Sequence, residues 1–322
     1  MRFFKIPSAG SRPTDTHPSG RKRRLVIRLL GVAVPVVIAS VVLVTLVIPP
    51  LSVQARPGIV RVKSYYLALG DSLAYGFQPN QDYDHGYAQQ WFALLQSKGS
   101  RSFTDYGCPG QSSTAMYTEH GCPFPSHDAY PDNMTQLQAA VAFITTHAHQ
   151  VSPVSLDIGA NDLIPHIQFV PDSTSPTGVS CVDPMLATDE ETLNNNLKYT
   201  ILPDLVEALK NRGGQLTGDL VVMNYYFPFQ NICPKQISLF EDFNSQIAAD
   251  VQFVASAERV SIPLADVFTA FGGSAYPNPN ICTYTWMCSG YQDIHATGGQ
   301  PGEPGNGYGV IAQTFNSLVG ND

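Results

Sequence analysis

Residues 65–73 read YYLALGDSL, and this stretch decides the fold. The apolar run at 65–69 is typical of a short buried strand, and the Gly-Asp-Ser after it is typical of a turn. Further apolar runs of this kind, with helical patterns between them, lie at 103–106, 154–158, 220–225 and 260–267. Strands that alternate with helices predict an α/β domain with a parallel sheet covered on both faces.

Two apolar stripes with helical spacing are predicted to pack against that sheet. The first runs through 193–209, where Thr188 and Glu191 form a capping-box pattern ahead of it and Pro203 predicts a kink. The second runs through 237–254. Both are interpreted as core-facing surfaces rather than as binding surfaces.

Four short motifs carry candidate chemistry: GDSL at 70–73, GCPG at 107–110, GAND at 159–162 and DIH at 293–295. The first three each follow a predicted strand. In an open parallel sheet, ligands bind beyond the carboxyl ends of the strands, so these motifs are expected at one edge of the sheet.

The residue types in these motifs suit acyl transfer. That reaction needs a hydroxyl activated by an imidazole, which Ser72 and His295 can supply, and hydrogen-bond donors for the developing oxyanion. Gly110 lets the backbone approach a substrate oxygen closely, and the Asn161 side chain offers an NH2 donor.

In order and content, the motifs resemble the SGNH, or GDSL, hydrolase family, over residues 65–319. The resemblance implies a three-layer α/β/α sandwich with a five-stranded parallel sheet in the flavodoxin-like order 2-1-3-4-5. It implies Ser72 as the nucleophile of a covalent mechanism and His295 as the base. The oxyanion hole would comprise the Ser72 N–H, Gly110 and Asn161. No cofactor or metal ion is expected.

The last motif departs from the family pattern, which places aspartate three residues before the histidine. Here Gln292 occupies that position, Asp293 stands only two residues before His295, and Ala296 replaces the usual proline. Asp293 is the only carboxylate close by in sequence, so it is the expected third member of the triad. The alternatives are the carbonyl of Gln292 or a backbone carbonyl. The helix expected after the histidine is predicted at 307–312.

The N-terminal segment differs from the rest in composition. Residues 1–28 hold eight Lys and Arg against one acid, and the apolar run at 29–48 is long enough to span a bilayer. The expected organisation is a basic cytoplasmic tail at 1–28, a membrane anchor at 29–50, a linker at 51–63 and the hydrolase domain at 64–322, outside the cytoplasm. A signal peptide cleaved after Ala55, which would give a secreted protein, is the alternative.

All six cysteines follow this segment, and an even number in an exported domain predicts disulfides. Sequential pairing is the simplest arrangement: Cys108 with Cys122, Cys181 with Cys233, and Cys282 with Cys288. Beyond residue 28 the chain has ten Lys and Arg against 25 Asp and Glu. This acidic balance argues against nucleic-acid binding.

The predicted function is therefore an extracytoplasmic serine hydrolase that cleaves carboxylic esters of small molecules, lipids or glycans. Acyl transfer to an alcohol, polysaccharide deacetylation and a non-catalytic glycan-binding domain remain open as alternatives. An α/β-hydrolase is disfavoured, because the string around Ser112 lacks the final glycine of a Gly-x-Ser-x-Gly elbow.

Overall fold

The computed structural model describes residues 60–124, 128, 130–300 and 303–320. The predicted tail (1–28), the predicted anchor (29–50) and residues 51–59 of the predicted linker lie outside these ranges. Within them, no helix combines the length and apolar character needed to cross a bilayer.

A five-stranded parallel sheet forms the centre of the fold. Its strands are β1 (Tyr65–Gly70), β2 (Ser102–Asp105), β3 (Val151–Asp157), β6 (Leu220–Met223) and β7 (Leu264–Ala265). They lie in the order β2-β1-β3-β6-β7. Counted among the sheet's own strands this is 2-1-3-4-5, so the predicted order and the α/β/α sandwich are confirmed. Every residue of β3 is buried, as expected for a central strand with helices on both faces.

The last strand is much shorter than the predicted 260–267. Only Leu264 and Ala265 pair with β6, at the edge of the sheet. Pro263, directly before them, has no N–H to donate, and its carbonyl accepts from Val222 N at 3.1 Å. An edge strand tolerates the missing donor, but proline limits the length of the ladder.

Helices cover the sheet. They are α1 (Ser72–Tyr75), α2 (Tyr87–Gln96), α3 (Ala115–Thr118), α4 (Gln136–Thr146), α5 (Ala160–Leu163), α6 (Leu186–Asn196), α7 (Leu202–Leu209), α8 (Ile237–Glu258), α9 (Val267–Ala270), α10 (Pro279–Tyr284) and α11 (Gly307–Asn316). Helix α2 packs against α11, and α4 packs against α7. The predicted helix after His295 is confirmed as α11.

The first predicted stripe is buried along its whole length, at Leu193, Leu197, Ile201, Leu205 and Leu209. Its predicted start was wrong. Helix α6 begins at Leu186 without a side-chain cap, two residues before the expected capping threonine, because the Asp183 carboxylate already turns the chain by accepting from Met185 N. A π-helix spans Leu197–Ile201 ahead of Pro203, which accommodates the missing N–H of the proline.

The second stripe faces inward from α8. Four of its members are buried, namely Phe243, Ile247, Val251 and Val254, while Ile237 and Phe240 near the start are partly buried. Both stripes therefore pack against the core as predicted, but Phe240 and Phe243 of the second stripe also line a cleft, so that stripe is not exclusively core-facing.

An antiparallel hairpin, β4 (Gln168–Pro171) with β5 (Val179–Val182), was not predicted. Its loop is closed by Asp172, whose carboxylate accepts from Thr174 N and from the Ser180 hydroxyl. The loop sequence Ser-Pro-Thr-Gly at 175–178 is a turn signal that could have revealed the hairpin.

The disulfides are Cys108–Cys122, Cys181–Cys233 and Cys282–Cys288. All three predicted pairs are confirmed. The second bridge joins β5 to the segment that follows β6, so it links the β4–β5 hairpin covalently to the central sheet's connecting chain.

Candidate active site

Ser72 is the first residue of α1 and lies where β1 ends. The turn before it requires a glycine, because Gly70 has φ +139° and a Cβ there would meet the Asp157 carbonyl at 2.1 Å. The side chain of Gln136 fixes the strand end by accepting from Gly70 N at 3.0 Å and donating to Gly70 O at 2.9 Å. Asp71 caps α1 through Leu73 N at 2.9 Å. The backbone around Ser72 is thus fixed by hydrogen bonds from the side chains of Gln136 and Asp71.

Ser72, His295 and Asp293 form a continuous chain of hydrogen bonds. Ser72 Oγ lies 2.8 Å from His295 Nε2, and His295 Nδ1 lies 2.6 Å from Asp293 Oδ1. The tautomer that satisfies both contacts carries its proton on Nδ1, so Nε2 accepts from the serine hydroxyl. The side chains of His295 and Asp293 are 13% and 26% exposed, so the pair is mostly shielded from solvent.

The two-residue spacing between Asp293 and His295 is accommodated by a compact turn. Asp293 Oδ1 accepts from the backbone N–H of His295 at 2.9 Å as well as from its ring. Gln292 has φ +50°, a left-handed conformation that redirects the chain just before the turn. Burial alone would raise the pKa of Asp293, but its hydrogen bonds with His295 and the charge of that residue lower it overall.

The two predicted oxyanion donors lie in segments that contact each other, one in helix α5 and one in the loop after β2. Asn161, in α5, donates through Nδ2 to the carbonyl of Gln111 at 3.1 Å. Gly110, the residue before Gln111, is exposed and has φ +84° with open space around its Cα. An amide NH2 has two hydrogens, so this contact orients Asn161 with one donor remaining.

Asp162 also joins helix α5 to the loop that carries Gly110. Its carboxylate accepts from Ser113 N at 2.8 Å and from the Ser113 hydroxyl at 2.6 Å, and Asn196 donates to that hydroxyl at 2.8 Å. Burial raises the pKa of Asp162, while the hydrogen bonds from Ser113 oppose the shift. Sequence reasoning quoted Asp162 as part of a motif but assigned it no role.

Two buried carboxyl groups, Asp71 and Asp157, lie beneath the serine. Asp157 accepts from Tyr87 OH at 2.6 Å and from Ala74 N at 3.2 Å, and Tyr225 OH lies 3.3 Å from Asp71 Oδ2. Burial raises the pKa of Asp157 well above its usual value, and the nearby charge of Asp71 raises it further. Burial also raises the pKa of Asp71, so both carboxyl groups beneath Ser72 are shifted toward the neutral form.

A cleft opens at the triad and runs between α5, the β4–β5 hairpin and α8. Its void is about 920 Å³, including the part open to solvent. Ser72, Asn161 and His295 lie along it, and most of the remaining wall is apolar. Sequence reasoning missed this cleft because the hairpin that walls it was not predicted.

Aromatic side chains surround His295 on another side. Phe77 lies 4.7 Å from the His295 ring between centroids, and Tyr83 stacks on Phe77 at 5.6 Å. The aromatic residues that precede His295 in the sequence, Tyr284, Trp286 and Tyr291, do not line the cleft. Trp286 is buried and donates to Gln78, and Tyr291 is 56% exposed.

One group of described side chains has the composition of a metal site: His166, Asp183 and Asp189, with ligand atoms within 4.8 Å of one another. His166 Nδ1 lies 2.6 Å from Asp189 Oδ2, and the histidine side chain is 46% exposed. A hydrogen bond between the two side chains at the surface accounts for this contact.

No protein-family model matches the chain, and no curated protein matches it. Similar solved structures include an extracellular lipase from Streptomyces rimosus, with 16% identity, a TM-score of 0.45 and coverage of 80% of this chain and 100% of that one. An acetylxylan esterase from Geobacillus stearothermophilus has 14% identity, a TM-score of 0.47 and coverage of 82% and 97%. An aryl esterase from M. smegmatis has 14% identity, a TM-score of 0.42 and coverage of 80% and 100%. At these values the likenesses carry no argument about function.

Proposed function

We propose that this chain is a serine hydrolase of the SGNH type that cleaves carboxylic esters. The observation that carries the proposal is the contact chain from Ser72 Oγ through His295 to Asp293, with separations of 2.8 and 2.6 Å. A non-catalytic surface domain would have no need for a serine hydroxyl aligned in this way at the mouth of an apolar cleft. The three disulfides support export from the cytoplasm.

In the first half-reaction, Ser72 Oγ attacks the ester carbonyl carbon while His295 Nε2 takes the hydroxyl proton. The carbonyl oxygen becomes negative and is stabilised by the N–H groups of Ser72 and Gly110 and by the Asn161 side chain. The bond from carbon to the alcohol oxygen then breaks. His295 gives its proton to that oxygen, and the alcohol leaves an acyl group on Ser72.

In the second half-reaction, water takes the place of the alcohol. His295 removes a proton from the water as it attacks the acyl carbon, and the proton passes to Ser72 Oγ when the acid leaves. Asp293 holds the imidazole in one orientation and stabilises its positive charge in both steps. One ester and one water give one acid and one alcohol.

Hydrolysis of p-nitrophenyl butyrate by the full chain tests the proposal. Ser72→Ala should abolish turnover while the protein stays folded, judged by circular dichroism. Ser112→Ala is the matched control: this serine lies in the neighbouring loop, its hydroxyl accepts from Ala115 N, and its loss should leave turnover near wild type. Turnover retained in Ser72→Ala would overturn the proposal.

A further inference from the structure

The apolar cleft has the lining and position of a binding site for part of the substrate. Leu163, Leu186, Phe240 and Phe243 are among its wall residues, and the serine and histidine lie along the same wall. An acetyl group on Ser72 would leave most of this apolar surface in contact with water.

The outer wall of the cleft is held in place by covalent and packing contacts. Val182 of β5 lines the cleft, and its neighbour Cys181 is bridged to Cys233. The buried cluster around this bridge includes Phe227, which itself lines the cleft. Phe229 of the same cluster packs edge-on against the exposed ring of the hairpin's Phe169 at 5.1 Å. The wall is therefore a preformed surface rather than a loop that must fold over a ligand.

The two-step reaction decides which half of an ester this cleft holds. The alcohol must depart after the first step and water must enter in its place, so the leaving-group side has to be open to solvent. The acyl half stays attached to Ser72 through both steps, and a deep apolar cleft is suited to the group that stays.

We propose that the cleft binds the acyl chain of medium- to long-chain fatty esters. This inference rests on the proposed ester hydrolysis and names its substrate class. Burial of each methylene in an apolar site raises kcat/KM up to about fourfold, which accumulates along the chain until the cleft is full. Acetyl esters of polysaccharides are poor substrates on this account, because they leave the cleft empty.

The first test measures kcat/KM of the full chain on p-nitrophenyl acetate, butyrate, octanoate and dodecanoate. The leaving group is constant, so only the acyl chain changes. We expect kcat/KM to rise by at least a hundredfold from acetate to its maximum at octanoate or dodecanoate. A second series of alkyl acetates from ethyl to octyl should vary far less, since the alcohol does not enter the cleft. Equal values across the acyl series, or a steeper rise in the alcohol series, would overturn the proposal.

A matched pair of variants ties the effect to the cleft. Leu239 and Phe253 lie on the same helix, α8, and are 44% and 48% exposed, but only Leu239 lines the cleft. Leu239→Asp places a charge at the mouth and should lower kcat/KM for dodecanoate at least tenfold more than for acetate. Phe253→Asp should leave the ratio of the two substrates unchanged. The same chain-length profile in Leu239→Asp and wild type would contradict the assignment.

Leu186→Trp, which fills the cleft from the start of α6, is a second variant with an independent structural effect. It should shift the preferred chain to shorter esters. Calorimetric titration with dodecanoate separates the two proposals. If no ester is cleaved, the hydrolase proposal is refuted. The cleft assignment is tested separately: it requires that dodecanoate binds to wild type and to Phe253→Asp but not to Leu239→Asp.

Discussion

Replacement of Asp293 by asparagine tests how the carboxylate acts on the imidazole. In the structure one oxygen, Oδ1, accepts from both the backbone N–H and the ring Nδ1 of His295. An asparagine here keeps its oxygen toward these two donors, because its NH2 would otherwise face two N–H groups. The variant therefore retains the orientation and tautomer of the ring and loses only the negative charge.

The size of the loss follows from that charge. A hydrogen bond to a charged partner is stronger than a neutral one by about 1–1.5 kcal/mol. The Coulomb attraction of a carboxylate and an imidazolium is about 4 kcal/mol at roughly 4 Å and an effective dielectric constant of about 20. Between these bounds, kcat/KM should fall by about tenfold to a thousandfold. This is less than the loss of about 10⁴ expected where asparagine also reverses the tautomer.

The assay is steady-state hydrolysis of p-nitrophenyl butyrate between pH 6 and 9. Gln292→Gly is the control, because glycine tolerates the left-handed conformation at this position and removes the alternative side-chain carbonyl. Its kcat/KM should stay within a few-fold of wild type. Wild-type rates in Asp293→Asn would show that Ser72 and His295 act as a dyad, and a loss of 10⁴ or more would refute the retained orientation.

Three further predictions concern the oxyanion site, a buried acid and the longest disulfide loop. Asn161→Ala should lower kcat by about 10²–10³ with little change in KM, because the side chain donates its hydrogen bond in the transition state. A rise in KM by the same factor would contradict this role. Burial raises the pKa of Asp105 to about 8, so the folded protein binds this proton more tightly than the unfolded chain does. The contribution of this carboxyl group to the free energy of unfolding is therefore full below about pH 4 and is lost as the pH rises to about 8. In urea titrations at a series of pH values, the free energy of unfolding of Asp105→Asn should therefore fall less steeply between pH 4 and 8 than that of wild type. The same dependence on pH in both proteins would refute this prediction. Loss of the bridge between Cys181 and Cys233, 52 residues apart, in a double alanine variant should cost about 4 kcal/mol in the chain-entropy model, and an unaltered urea midpoint would contradict that estimate.

The sheet could be predicted from the sequence because its strands are short apolar runs at the right spacing. Residues 65–69 and 154–158 lie in or overlap β1 and β3, and the turn residues after them mark where each strand ends. The limits of β7 could not be predicted, since strand length at an edge depends on which neighbour offers donors and acceptors. Pro263 indicated an edge strand but not the length of that strand.

The residues of the candidate site could be named from their motifs, but their geometry could not. The two-residue spacing of Asp293 and His295 left three acceptors open, and the left-handed Gln292 is a tertiary feature without a sequence signature. The roles of Asp157 and Asp162 depend on burial and on partners far away in sequence.

The central claim is that Ser72 is the nucleophile. Treatment of the full chain with a fluorophosphonate probe, followed by peptide mass spectrometry, tests it most directly, because the probe reacts with an activated serine and records its position. The account predicts one adduct, on Ser72, that blocks ester hydrolysis in proportion to labelling and is absent from His295→Ala. An adduct on Ser112, or full hydrolytic activity after Ser72 is labelled, would contradict it.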